Sequence, residues 1–264
     1  MDVIYEIKQK YNSFSSKEKE IANYILENKN NIENISITNL SKAIGASTST
    51  ITRFSKKINC ESFVQMKMKL NAHSANSSSK EEDIFSAVHD YYTEVVEKTN
   101  QLLNKELILK VIEEIKKAKK IYIYGVGSSG LSAQEFMQRL LRMGFNVSSI
   151  TDSHMMIINS AILKESDLVI GISISGETKE LVDSFRVARK NGAKTIGVTS
   201  LPNSSLKDFS DDLILICASN FINKRDFINT QFSTMYLFDL ISTILLEDSN
   251  LRDKMQLTIK AILK

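Results

Sequence analysis

The residues most able to do chemistry in this chain fall in two short hydroxyl-rich stretches, Gly125-Val126-Gly127-Ser128-Ser129-Gly130 and Ser173-Ile174-Ser175-Gly176-Glu177-Thr178. A phosphate monoester offers several acceptor oxygens and about two negative charges. Serine and threonine hydroxyls, with backbone N–H groups at helix starts, meet that demand without a permanent cation. Ser128, Ser129, Ser173, Ser175 and Thr178 are such donors, and Gly127 and Gly176 allow close approach of the backbone. The pattern therefore points to a phosphorylated small molecule. The competing structural reading is that serines after strands only cap helices. The first stretch also satisfies GxGxxG, with Asp152 near the place of a ribose-binding acid, so a dinucleotide site competes as well. An isomerase would need a positioned base; Glu177, Glu180 and His154 are the nearby candidates.

A second kind of chemistry lies earlier in the chain. Residues 1–80 hold 12 Lys and Arg against seven Asp and Glu, whereas 81–264 hold 22 against 24, so the +3 of the whole conceals a basic head. Lys42, Arg53, Lys56, Lys57, Lys67 and Lys69 face one acid, Glu61, in the same span. Such clustering suits a polyanion partner.

The elements that must position these groups read as follows. Ser15 with Glu18 forms a capping box ahead of Ile21, Ala22, Ile25 and Leu26. Ser36 caps a short helix with Ile37, Leu40 and Ile44 inward; Gly45 turns the chain, and Ser47 caps a second, basic helix burying Ile51, Phe54 and Ile58. That is a helix-turn-helix pattern. Thr48, Ser49, Thr52 and Arg53 are then candidates to read bases, and Lys42, Lys56 and Lys57 to hold phosphates. Residues 71–83 are small and polar and read as a linker. This places an all-α helix-turn-helix domain at 1–75 and a second domain at 84–264.

After the linker, one long amphipathic helical region over about 84–120 precedes the strand Ile121–Tyr124. Further apolar runs follow at 146–150, 168–172, 195–198 and 213–217, separated by helices at 131–143, 154–163, 179–190 and 205–209. Helices at about 226–247 and 251–263 close the chain. Alternating strand and helix, with strands apolar on both faces, predicts a parallel sheet covered on both sides, an α/β/α domain. Loops at carboxyl ends of such strands meet at a switch point, so the two hydroxyl-rich loops should face one crevice.

Composition excludes several classes. A single proline and nine glycines argue against a collagen-like, disordered or loop-rich all-β chain. Cys60 and Cys217 stand far apart and read as buried thiols in a reducing compartment. His73, His89 and His154 lack metal-site spacing, so neither metal nor cofactor is expected. No secretory signal and no apolar run of about 18 residues is present, predicting a cytoplasmic protein with no membrane contact.

At these residues the chain resembles a known family. Residues 105–245 are similar to a SIS (sugar isomerase) domain, whose phosphosugar loops read much like Gly-x-Gly-x-Ser and Ser-x-Ser-Gly-x-Thr. With residues 16–22, 40–47, 50–57 and Phe63, nearly the whole chain resembles the RpiR/MurR bacterial transcriptional regulators. Asn39 and Ser41 depart from the family's usual Glu-Leu-Ala. The resemblance implies a DNA-binding regulator that senses a phosphorylated sugar and is not an enzyme, with Ser128, Ser129, Ser173, Ser175 and Thr178 at phosphosugar-binding positions. It also implies a homodimer or homotetramer on double-stranded operator DNA. A sugar-phosphate isomerase, and less so an NAD-binding protein, are the alternatives.

Overall fold

The computed structural model describes residues 3–28, 35–72, 84–218 and 231–263, and the chain divides into two compact units, 1–87 and 88–264. The central part of the expected linker lies outside the described residues.

In the first unit, α1 (Val3–Lys10), α2 (Ser16–Glu27), α3 (Ile37–Ile44), α4 (Thr48–Lys57) and α5 (Phe63–Ala72) share one apolar cluster. Ser15 and Glu18 close a full capping box on α2, and Ile21, Ala22 and Ile25 are fully buried behind it. Ser36 caps α3, Gly45 ends it at φ 63°, and Ser47 caps α4. Asn39 supplies only its amide to that first cap. Ser41 instead donates to the Ala46 carbonyl at 2.5 Å, tying the turn between α3 and α4. Ile51, Phe54 and Ile58 are at most 1% exposed, which fixes the polar side of α4 outward.

The second unit opens with two helices where the sequence pattern suggests one. α6 (Ile84–Leu102) stops and α7 (Lys105–Lys117) restarts, because Asn104 is extended and its side chain accepts the Leu107 amide at 2.9 Å. A short polar side chain bonding its own backbone competes with the helix ladder. Next come β1 (Lys120–Gly125), α8 (Ser128–Arg142), β2 (Val147–Ile150), α9 (Ser153–Ser160), β3 (Asp167–Ile172) and α10 (Lys179–Lys190). β4 (Lys194–Thr199), α11 (Ser205–Asp208), β5 (Asp212–Leu215), α12 (Phe232–Leu245) and α13 (Ser249–Ile262) complete it. Residues 226–230 of the expected penultimate helix lie outside the described residues.

The sheet is fully parallel in the order β2-β1-β3-β4-β5, so the chain reverses direction between β1 and β3. Alternate residues serve opposite layers. Ile121, Ile123, Leu168, Ile170 and Ile172 pack with α7, α8 and α12, while Tyr124 and Val169 pack with α9, α10 and α11. Two buried faces explain the near-continuous apolar strands. Cys60 and Cys217 are free and buried, and burial pushes the Cys217 thiol up to about 11.

Asp212 clamps one end of this sheet: Lys110 Nζ on α7 donates to its Oδ1 at 2.6 Å, and Lys194 Nζ on β4 lies 3.0 Å from Oδ2. Burial alone would raise its pKa, but the Lys110 hydrogen bond and the adjacent Lys194 ammonium outweigh it and hold the carboxyl below the usual range. A carboxylate whose pKa is depressed by folding stabilises fully above its unfolded value and loses that contribution as pH falls through the folded one. Urea titrations across roughly pH 6 to 3 should therefore show stability of this unit falling less steeply in Asp212→Asn than in the parent. Equal slopes would remove Asp212 from that role.

Candidate functional site

Gly125 of β1 is register partner of Ile172 of β3, so the two hydroxyl-rich loops leave the sheet from adjacent strands, in the same direction. Backbones so paired lie about 4.8 Å apart. The loops therefore flank the switch point, as expected for an open parallel sheet.

In the first loop, Gly127 occupies the N-cap position of α8 at φ 58°, ψ −128°. A Cβ there would meet nothing within 4 Å, so conformation rather than crowding calls for glycine. With no side chain at the cap, the Ser128 and Ser129 amides at the start of α8 have no intrahelical acceptor. Ser128 is exposed and Ser129 half-buried.

The second loop is a network of hydroxyls. Ser173 Oγ, 3% exposed, lies 2.9 Å from Thr178 Oγ1 and 3.5 Å from Ser175 Oγ, and accepts the Gly176 amide at 3.0 Å. Ser175 Oγ accepts the Glu177 amide at 3.2 Å. The capping reading fails for Thr178: it precedes α10 but makes no side-chain cap bond, its hydroxyl turning to Ser173 instead. Hydroxyl oxygens of the loop thus satisfy the Gly176 and Glu177 amides.

Neighbouring candidates take other places. Asp152 caps α9, its Oδ1 accepting the Met155 amide at 2.9 Å. His154 is exposed on the first turn of α9, and Glu180 is exposed on α10. Glu177 faces α11: its Oε1 accepts the Ser205 amide at 3.0 Å and its Oε2 the Ser205 hydroxyl at 2.5 Å. Ser204 and Ser205, like Thr199 and Ser200, went unread in the sequence. They form a third hydroxyl pattern after a third strand, which was the available signal.

On the helix-turn-helix face, Thr48, Ser49 and Arg53 are exposed and Thr52 half-exposed, its hydroxyl bonded back to the Thr48 carbonyl at 2.9 Å. Lys42 and Lys56 are exposed. Lys57 is exposed as well and has partners inside the domain. Its ammonium pairs with Glu18 at 2.9 Å, donates to the Ser13 carbonyl at 3.0 Å and lies 5.3 Å from the Phe14 ring centre. Those contacts lie within the small domain, while the residue itself stays exposed. The same bond holds the Glu18 carboxyl below its ordinary pKa, against the raising effect of burial. Lys17, Lys67 and Lys69 likewise donate to the carbonyls of Ile44, Ile35 and Asn59.

Gly176 offers a sharp test of the loop's construction. It sits at φ 64°, and a Cβ would lie 2.2 Å from Ser204 Oγ and 2.8 Å from Thr199 Oγ1. A non-glycine residue in the left-handed region costs about 1–2 kcal/mol before any clash. Gly176→Ala should therefore destabilise the second unit by at least ~2 kcal/mol in urea unfolding. A loss within experimental error would mean that the loop relaxes freely and is not held as described.

Comparison with known proteins places this arrangement. The SIS domain family model matches residues 114–241, and the helix-turn-helix domain, rpiR family, matches residues 1–77. An uncharacterized HTH-type transcriptional regulator of Haemophilus influenzae is 27% identical over 260 residues, covering 93% of this chain and 90% of its own length. Among solved structures, the Vibrio vulnificus NanR protein complexed with ManNAc-6P is similar at a TM-score of 0.65 and 21% identity, over 99% of this chain and 98% of that one. The sugar isomerase domain of an RpiR transcription factor from Sphaerobacter thermophilus gives 0.57 and 18%, over 66% and 96%. The two matched domains, in this order along one chain, make this protein a member of the RpiR family of helix-turn-helix transcriptional regulators with a SIS domain.

Proposed function

We propose that this regulator senses a phosphorylated sugar in the crevice between the 125–130 and 173–178 loops and binds operator DNA through α4. The observation that carries the reading is the side-by-side placement of two donor-lined turns at the ends of β1 and β3. The Ser128 and Ser129 amides and hydroxyls, with Ser173, Ser175 and Thr178, converge on the phosphoryl group, and Gly127 and Gly176 keep the backbone close. The binding of ManNAc-6P by the Vibrio relative supports this ligand class.

The chain binds the sugar phosphate without turning it over. Glu177, the one carboxylate in the two loops, accepts from Ser205 with both oxygens, which turns it toward α11 and disfavours it as the base an isomerase needs. Relatives named as transcriptional regulators favour the same reading. Finding isomer interconversion in a panel of hexose and amino-sugar phosphates would overturn it.

On DNA, Thr48, Ser49, Thr52 and Arg53 face base edges while Lys42 and Lys56 hold phosphates. A head this small touches few base pairs, so specificity comes from two copies on a palindromic site, in a homodimer or homotetramer working in the cytoplasm.

Three variants test the two halves separately. Arg53→Ala should weaken operator binding by about 1–3 kcal/mol and relax discrimination against scrambled DNA in fluorescence anisotropy. Lys57→Ala should instead lower the unfolding midpoint of the first unit with little change in discrimination. Ser175→Ala should weaken the response to sugar phosphate about tenfold or more while leaving ligand-free DNA affinity intact. A variant that responds like the parent counts against the pocket.

A further inference from the structure

We propose that Glu177 is a positioning residue of the sugar-phosphate crevice: by latching onto the start of α11 it holds the 173–178 loop in its ligand-ready shape without touching ligand. The inference rests on the crevice being the effector site, as argued above.

The loop is held from one side by the chain running from β4 into α11. The Ser173 amide donates to the Val198 carbonyl at 3.0 Å. The Ile174 carbonyl accepts from the Ser200 amide at 3.0 Å, the Ser200 hydroxyl at 2.7 Å and the Thr199 hydroxyl at 3.2 Å. The Gly176 carbonyl accepts from the Leu206 amide at 3.0 Å. These are backbone-centred anchors on residues 173, 174 and 176. Beyond Gly176, Glu177 supplies a side-chain anchor, with two acceptors on one residue, Ser205.

Three features mark the latch as more than a surface contact. Ser204, 2% exposed, stands at the N-cap position of α11 yet makes no side-chain cap bond, and its buried hydroxyl has no hydrogen-bond partner. Glu177 from the other loop fills the capping role that Ser204 leaves. A carboxylate at a helix start is favourably placed against the unpaired amides, so a negative charge next to a phosphate pocket is drawn away from it. The latch also spans the residue between Gly176, pressed on Ser204, and Thr178, whose hydroxyl joins Ser173. Releasing Glu177 thus frees the segment that sets the Ser173–Thr178 geometry, while the strands and the Ser173 amide anchor stay in place.

The test uses the full-length protein with glucose 6-phosphate, glucosamine 6-phosphate and N-acetylmannosamine 6-phosphate as probes, beside inorganic phosphate. Hydrogen exchange at residues 173–178 is measured without ligand, and affinity by calorimetry. Glu177→Ala should speed exchange in that segment and raise the Kd of whichever probe binds the parent about tenfold. Glu177→Gln, which keeps a carbonyl acceptor for Ser205, should recover most of both. Ser205→Ala, retaining the amide donor, should fall between and guards against a variant that fails to fold. Unchanged exchange in Glu177→Ala overturns the latch, and so does faster exchange with unchanged Kd. A raised Kd with unchanged exchange would mean direct ligand contact, which also overturns the positioning role. If no probe binds the parent but Ala speeds exchange and Gln restores it, the effector reading fails while the latch itself stands.

Discussion

Parallel pairing of Gly125 with Ile172 is the constraint from which the rest of the sensor domain follows. It makes β1 and β3 neighbours although a whole strand and two helices separate them in sequence, and it sends both following turns to the same edge of the sheet. Helices must then diverge to opposite faces: α8 lies over the layer built on Phe136 and Ile170, α10 over the layer built on Phe185 and Val169. Between their starts no strand fills the space. The place of the proposed crevice is thus a product of topology, and the residues of the two turns set what chemistry it offers.

How much of this was legible in sequence varies with the range of the interaction. Capping is local, so Ser15 with Glu18, Ser36 and Ser47 mark their helices in advance, and the structure bears each one out. Burial on both sheet faces writes itself into strand composition, so the five strands read correctly to within one or two residues. The break between α6 and α7 was missed because the apolar period continues across it; only the Asn104 side chain stops the helix, and its effect depends on one hydrogen bond. The β4–α11 brace was missed for a different reason. Its bonds to Ile174 and Glu177 cross about 25 to 28 positions, and nothing in a run of serines states which carbonyl they will meet.

Charge in the small domain teaches the same lesson in reverse. Counting six basic residues between Lys42 and Lys69 suggests a uniformly cationic surface, but position along each helix divides them. Lys57 and Lys69 sit near helix ends, where carbonyls and acids of packed neighbours lie within reach of a flexible stem, and they are used internally. Lys42, Arg53 and Lys56 project from the outer faces of α3 and α4. An ammonium already bonded to a carboxylate and a carbonyl would have to give up both to meet a phosphate, so formal charge overstates the positive surface available to DNA. In the proposed base-reading role Arg53 would count for more than its single charge, since a planar fork can pair two acceptors of one base at once.

Neither crevice loop contains a lysine or arginine, and this bears on what such a site is for. Such loops can hold a charged phosphate through hydroxyl and amide hydrogen bonds, each worth about 1.5–3 kcal/mol net. Occupancy alone transmits nothing, because a ligand with equal affinity for two states leaves their ratio unchanged. The donors must therefore be better arranged in one state than in the other. A loop whose shape depends on bonds made by the β4–α11 segment meets that requirement: any rearrangement that strains those bonds also misaligns Ser173, Ser175 and Thr178, and phosphate binding opposes it in equal measure.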